Sequence, residues 1–112
     1  MQKYIITITG LNKDESDSIE QLESEYCKVS SSNGFDGGLQ EIITIIGDDP
    51  IVRAVVVQVI ADLLLRIGED AWNRCKVNFR FPNGRDLINI ARDRFENLKK
   101  QIHNKKADNG TQ

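Results

Sequence analysis

Asn33-Gly34-Phe35-Asp36-Gly37-Gly38 is a polar, glycine-rich run ahead of an apolar segment, Leu39 to Ile46. Were that segment a helix, free amides at its start could hold an anion, with Asn33, Gly34, Gly37 and Gly38 as the loop. The run departs from the phosphate cradles that have a known mechanism. A P-loop carries lysine and a hydroxyl residue straight after its last glycine, where this chain has Leu39-Gln40. Gly34, Gly37 and Gly38 also lack the G-x-G-x-x-G spacing of a dinucleotide fingerprint. Asp36 would cap the same amides and repel a phosphate. A flexible lead into a helix is the expectation, and sensing of a nucleotide or other small anion at Gly34–Gly38 is an alternative.

The other reactive residue types form no complete set. His103, the single histidine, falls where the last expected helix frays, with no nucleophile and third group to hold it. One histidine and two separated cysteines, Cys27 and Cys75, fall short of a zinc site. In a cytosolic chain the two thiols are expected to be reduced, a disulfide between them being the alternative. Asp14-Glu15, Asp48-Asp49 and Glu69-Asp70 could do acid–base work, but each reads better as a solvated turn or a helix cap. No catalytic residue, metal or cofactor is assigned.

Basic residues gather late in the chain. Arg80, Arg85, Arg92 and Lys99, with Arg94, Lys100, Lys105 and Lys106 around them, could meet phosphates. Residues 1–50 hold ten acidic against three basic side chains, and residues 51–112 seven against twelve. The halves could attract each other within one fold, or the basic end could meet an acidic partner. An acidic pI of about 5.4 and the interleaved Asp86, Asp93 and Glu96 argue against nucleic acid, which stands as a further alternative.

The elements that would position these residues follow from pattern. A chain of 112 residues, 39% apolar and 29% charged, suits one soluble globular domain. Met1-Gln2-Lys3 runs straight into an alternating segment, so export is not expected and the location is read as cytoplasmic. Tyr4, Ile6 and Ile8 share one face of a strand that Gly10 ends. A short helix capped by Ser16 or Asp17 would carry Ile19 and Leu22 inward, and Cys27 to Ser30 would form a brief strand. Leu39, Ile42, Ile43 and Ile46 fall at i, i+3, i+4 and i+7, so a helix is expected there, stopped by Gly47. Asp49 and Pro50 open the next helix.

That helix, Ile51 to Ile67, has thirteen apolar residues of seventeen. Gln58, Asp62 and Arg66 lie at i, i+4 and i+8 as one wet stripe. Two arginines and an aspartate argue against a membrane span, each costing about 2.5–3.5 kcal/mol near a bilayer centre. A rod so apolar needs a cover, and a second copy of the chain is one candidate. Arg53, Gln58, Asp62, Arg66 and Trp72 are therefore the candidate partner-binding residues. Val77, Phe79 and Phe81 then alternate before Asn83-Gly84, the strongest short signal for a two-residue hairpin turn. A return strand is expected over residues 86–90. A last helix would use Phe95, Leu98 and Ile102 as its core stripe.

Gly37-Gly38-Leu39 opening an apolar helix, the buried helix ending in Leu63-Leu64-Leu65-Arg66, the hairpin VNFRFPNGRDLINI and a closing helix together resemble the effector-associated constant component family. The likeness spans about residues 36 to 102 and rests on element order and on a Pro-(Asp/Asn)-Gly-Arg turn, with Asn83 where the family more often has aspartate. It implies a small non-catalytic module that accompanies or recruits an effector in bacterial conflict and defence systems, and it brings no catalytic residues. The expectation is an α+β domain over residues 1–103. A small mixed sheet of three to four strands, including a C-terminal β-hairpin, would pack against helices mainly on one face, with residues 104–112 a disordered tail. Its partner would be an effector or switch protein, or a second copy in a homo-oligomer, and not a membrane.

Overall fold

The computed structural model describes the backbone of residues 1–33 and 38–110, and the side chains of residues 1–33 and 38–102. The chain runs β1 (Gln2–Leu11), α1 (Lys13–Glu20), β2 (Cys27–Asn33), β3 (Leu39–Gly47), α2 (Ile51–Arg74), β4 (Lys76–Arg80) and α3 (Gly84–Gly110). This is an α+β fold with one four-stranded sheet in the order β2-β3-β1-β4. Every neighbouring pair is antiparallel, so the sheet is not the mixed one expected. β1-α1-β2 and β3-α2-β4 interleave as two crossovers, the split β-α-β connectivity of ferredoxin-like folds.

Leu39–Gly47 is a strand where helical spacing had suggested a helix. Ile42-Ile43-Thr44-Ile45-Ile46 are five β-branched residues in succession. Each is stiff at χ1 and crowds the preceding turn of a helix, while all fit a pleated surface. Glu41, Ile43 and Ile45 point inward and are fully buried, and Ile42 and Thr44 point outward. As β3 lies between β1 and β2, the sheet's centre depends on it.

The expected return strand at residues 86–90 is also absent: these residues lie in α3. Asn83 does take the positive φ (57°) that its type favours. The chain then enters a helix, and the Leu87 amide donates to the Asn83 carbonyl at 3.1 Å. Leu87, Ala91 and Phe95 recur at i, i+4 and i+8, and all three are buried. This stripe lies one turn earlier than expected, and Ile102 is half exposed. The backbone is helical through Gly110, and the side chains of the expected tail, residues 104–112, lie outside the described ones.

α1 starts earlier than Ser16. Asn12 is its cap, accepting from the Glu15 amide at 2.8 Å, while the Glu15 carboxylate accepts from the Asn12 amide at 3.0 Å. α2 continues past Ile67 to Arg74 but breaks at Gly68, whose φ of 84° and ψ of 162° are not helical. No described helix is long and apolar enough to cross a membrane.

The helices share one face of the sheet. Tyr4, Ile6, Ile8, Ile43 and Ile45 form the sheet side of the core, against Ile19 of α1 and Val52, Val56, Ile60 and Leu63 of α2. α3 packs on α2 from the other side. The apolar circumference of Ile51–Ile67 is thus covered by this chain's own sheet and last helix, and no second copy is needed to explain it. Trp72 is likewise core, 6.1 Å from Phe79 between ring centres.

Candidate functional site

The helices leave the other face of the sheet open. Register places its side chains in rows across the four strands. One row is Lys28, Thr44, Ile5 and Arg80. The next is Ser30, Ile42, Thr7 and Asn78, and a third is Ser32, Gln40, Thr9 and Lys76. Lys3 lies opposite Ile46 at one end. The centre, Ile5, Thr7, Ile42 and Thr44, is half-buried, and the four cations Lys3, Lys28, Lys76 and Arg80 are exposed around it. None of these strand positions is acidic, although the chain as a whole carries a net charge of −2.

Such a face can hold a partner by an apolar centre and a charged rim, the usual anatomy of a protein interface. It is poorly suited to stacking nucleobases. Tyr4, Phe79 and Phe81 point to the helix side, where Tyr4 and Phe81 stack with ring centres 5.0 Å apart.

The sequence singled out Arg80 alone of these cations. The other late basic residues, Arg85, Arg92 and Lys99, lie on α3, and Lys99 reaches Glu69 at 3.6 Å and sits over the Phe95 ring. Arg80, Arg85, Arg92 and Lys99 therefore do not share one face. Lys3, Lys28 and Lys76 went unnoticed, yet the alternation of Lys28-Val29-Ser30 and Lys76-Val77-Asn78 marks them as outward.

Gln58, Asp62 and Arg66 come together as expected, lining a groove of about 520 Å³ between α2 and the segment after α1. Gln58 donates to Asp62 at 3.1 Å and accepts from Arg94 at 2.8 Å, and Arg66 donates to Gln21 at 3.2 Å. The stripe is largely engaged within the chain. Arg53 pairs with Asp49 at 2.9 Å and stands apart from the groove. Of the anion-loop candidates, Gly34 and Gly37 lie outside the described residues, as does Asp36. Asn33 ends β2, and Gly38 lies against the backbone of Gly10. The His103 side chain also lies outside the described part.

Both cysteines are free and buried. Burial, helped by the nearby Glu23 carboxylate, pushes the Cys27 thiol up to about 11, which makes it a poor nucleophile. Hydrogen bonds to the Cys75 sulfur and to Glu15 raise the Arg74 guanidinium above its ordinary value. No group of three or more metal-ligating side chains of the His, Cys, Asp and Glu types occurs among the described residues.

One buried polar cluster was missed altogether. Glu41 on β3 is fully buried beneath α1. Its Oε1 accepts from the Ser16 hydroxyl of α1 and, at 2.7 Å, from the Ser31 hydroxyl of β2. Ser31 Oγ also lies 2.5 Å from Glu20 Oε1. Glu41 Oε2 has no hydrogen-bond partner among the described residues. A lone glutamate inside a β-branched strand was the available signal.

No family model, curated protein or solved structure matches the chain.

Proposed function

We propose that the chain is a non-catalytic protein-interaction module that accompanies an effector in a bacterial defence system and docks an acidic surface of that effector on the open sheet face. The observation that carries this reading is the β-sheet face that the helices leave open, whose described outward strand positions include four cations and no acid. Opposite charge at a rim steers association and fixes register, while Ile5, Ile42, Thr7 and Thr44 supply the desolvated centre. For an effector as the partner, what supports the reading is the likeness at the Pro82-Asn83-Gly84-Arg85 turn, since residues 39–47 are a strand and 86–90 helical, unlike the element order of that resemblance. The inward placement of the aromatic rings favours a protein over a nucleic acid.

Co-expression with the product of an adjacent effector gene tests the reading. The partner should co-purify with the wild type, survive nuclease treatment, and be lost in a Lys28→Glu/Arg80→Glu double variant that still folds. Capture unaffected by both charge reversals would overturn this docking face, and a complex released by nuclease would replace the protein partner with nucleic acid.

A further inference from the structure

The cluster around Glu41 is short of positive charge. Three oxygen–oxygen contacts run through it, Ser16 to Glu41, Ser31 to Glu41 and Ser31 to Glu20, and its two hydroxyls supply two protons. Glu41 Oε2 is left over, buried and without a partner among the described residues. No ion pair among the described residues joins Glu20 or Glu41 to a lysine or arginine. A buried carboxylate in this position is costly unless something neutralises it. A proton shared through Ser31 would mend one contact and still leave an oxygen of Glu41 unmatched.

We propose that Glu41, Glu20, Ser16 and Ser31 form a site for a hard divalent cation of the calcium or magnesium class. The donor set is all oxygen, two carboxylates and two hydroxyls, which suits such ions and not zinc or copper. Two carboxylates match a 2+ charge. Three elements bring the ligands together: α1 carries Ser16 and Glu20, β2 carries Ser31, and β3 carries Glu41. Glu20 and Ser31 are exposed while Ser16 and Glu41 are buried, so the ion has a route inward from the Glu20 side. Bound there, it would tie α1 to the two strands beneath it and neutralise the one fully buried carboxylate of the described core. The site is independent of the open sheet face, since Ser31 and Glu41 point to the opposite side of their strands.

Thermal unfolding of the chelator-treated full-length chain, titrated with CaCl2 or MgCl2 against NaCl of equal ionic strength, tests the site. The midpoint should rise with at least one of the two ions and saturate, as binding to the native state alone requires. Glu20→Gln and Ser31→Ala sit at the exposed edge and should keep the fold while weakening the apparent affinity at least tenfold. Glu41→Gln should abolish the response. If Glu41→Gln fails to fold, the two exposed-edge variants still decide. No saturable rise beyond the NaCl control, or a rise unchanged in both exposed-edge variants, would overturn the proposal.

Discussion

Gly38 and Gly10 meet backbone to backbone: a Cβ on Gly38 would lie 2.9 Å from the Gly10 Cα. The contact sits where β1 and β3 shift register between Thr9 and Leu11, and Gly10 there has a φ of +97°. The atom in the way is main chain, so it cannot swing aside as a side chain would. Gly38→Ala is expected to cost about 1–3 kcal/mol, the usual penalty for overpacking. Gly38→Ser should cost at least as much. Urea unfolding of both variants checks this, and equal stability with the wild type would mean that the strands separate more freely at the bulge than the geometry implies.

Gly68 makes a different demand. Nothing lies within 4 Å of a Cβ there, so space is not the constraint. Its φ of 84° with ψ of 162° belongs to a region almost restricted to glycine. Gly68→Ala should therefore lose about 1–3 kcal/mol through strain alone, against the gain alanine brings inside an ordinary helix. The same substitution would favour straightening α2 and so displace Trp72 and β4. A stabilised Gly68→Ala variant with unchanged near-ultraviolet circular dichroism would contradict the break in α2.

The buried Cys27 thiol couples stability to alkaline pH. In the unfolded chain a thiol releases its proton near its ordinary value, 9.0, whereas in the fold it keeps the proton until about 11. Between those two values the folded state binds more protons, so stability falls as pH rises and levels off above the folded value. The slope is up to about 1.4 kcal/mol per pH unit. The effect is read as the difference in slope between wild type and Cys27→Ala. Cys27 should also resist thiol reagents at pH 8 until the protein unfolds.

How far the sequence disclosed this arrangement depended on which physical signal was unambiguous. β1 was legible because Tyr4, Ile6 and Ile8 alternate cleanly, and α2 because seventeen residues of helical pattern allow no strand. β3 was misread because Leu39, Ile42, Ile43 and Ile46 satisfy a helical period while Glu41 interrupts the strand's apolar face. Only burial of that glutamate against Ser16 and Ser31 resolves the conflict. The Asn83-Gly84 signal was real at Asn83, yet the i, i+4, i+8 stripe of Leu87, Ala91 and Phe95 decided what came after it. The open basic face could not be seen from spacing, since Lys3, Lys28 and Lys76 come from three strands that only tertiary pairing brings together.

The start of α1 holds one last testable coupling. Glu15 accepts from the Asn12 amide at 3.0 Å and from the Arg74 guanidinium at 2.6 Å. It therefore closes the capping box and ties α1 to the end of α2 with a single carboxylate. The Ser16 amide bonds the Asn12 carbonyl at 3.0 Å, so the cap also sets where Ser16 meets Glu41. Asn12→Ala should cost about 0.5–2 kcal/mol, and Asn12→Asp much less, because aspartate caps equally well. Removing Glu15 as well should add less than its single effect, since the two side chains share the box. A double-mutant cycle by urea unfolding measures that shortfall. Strict additivity would show that each half of the box holds the helix start independently, and that Glu15 acts mainly through Arg74.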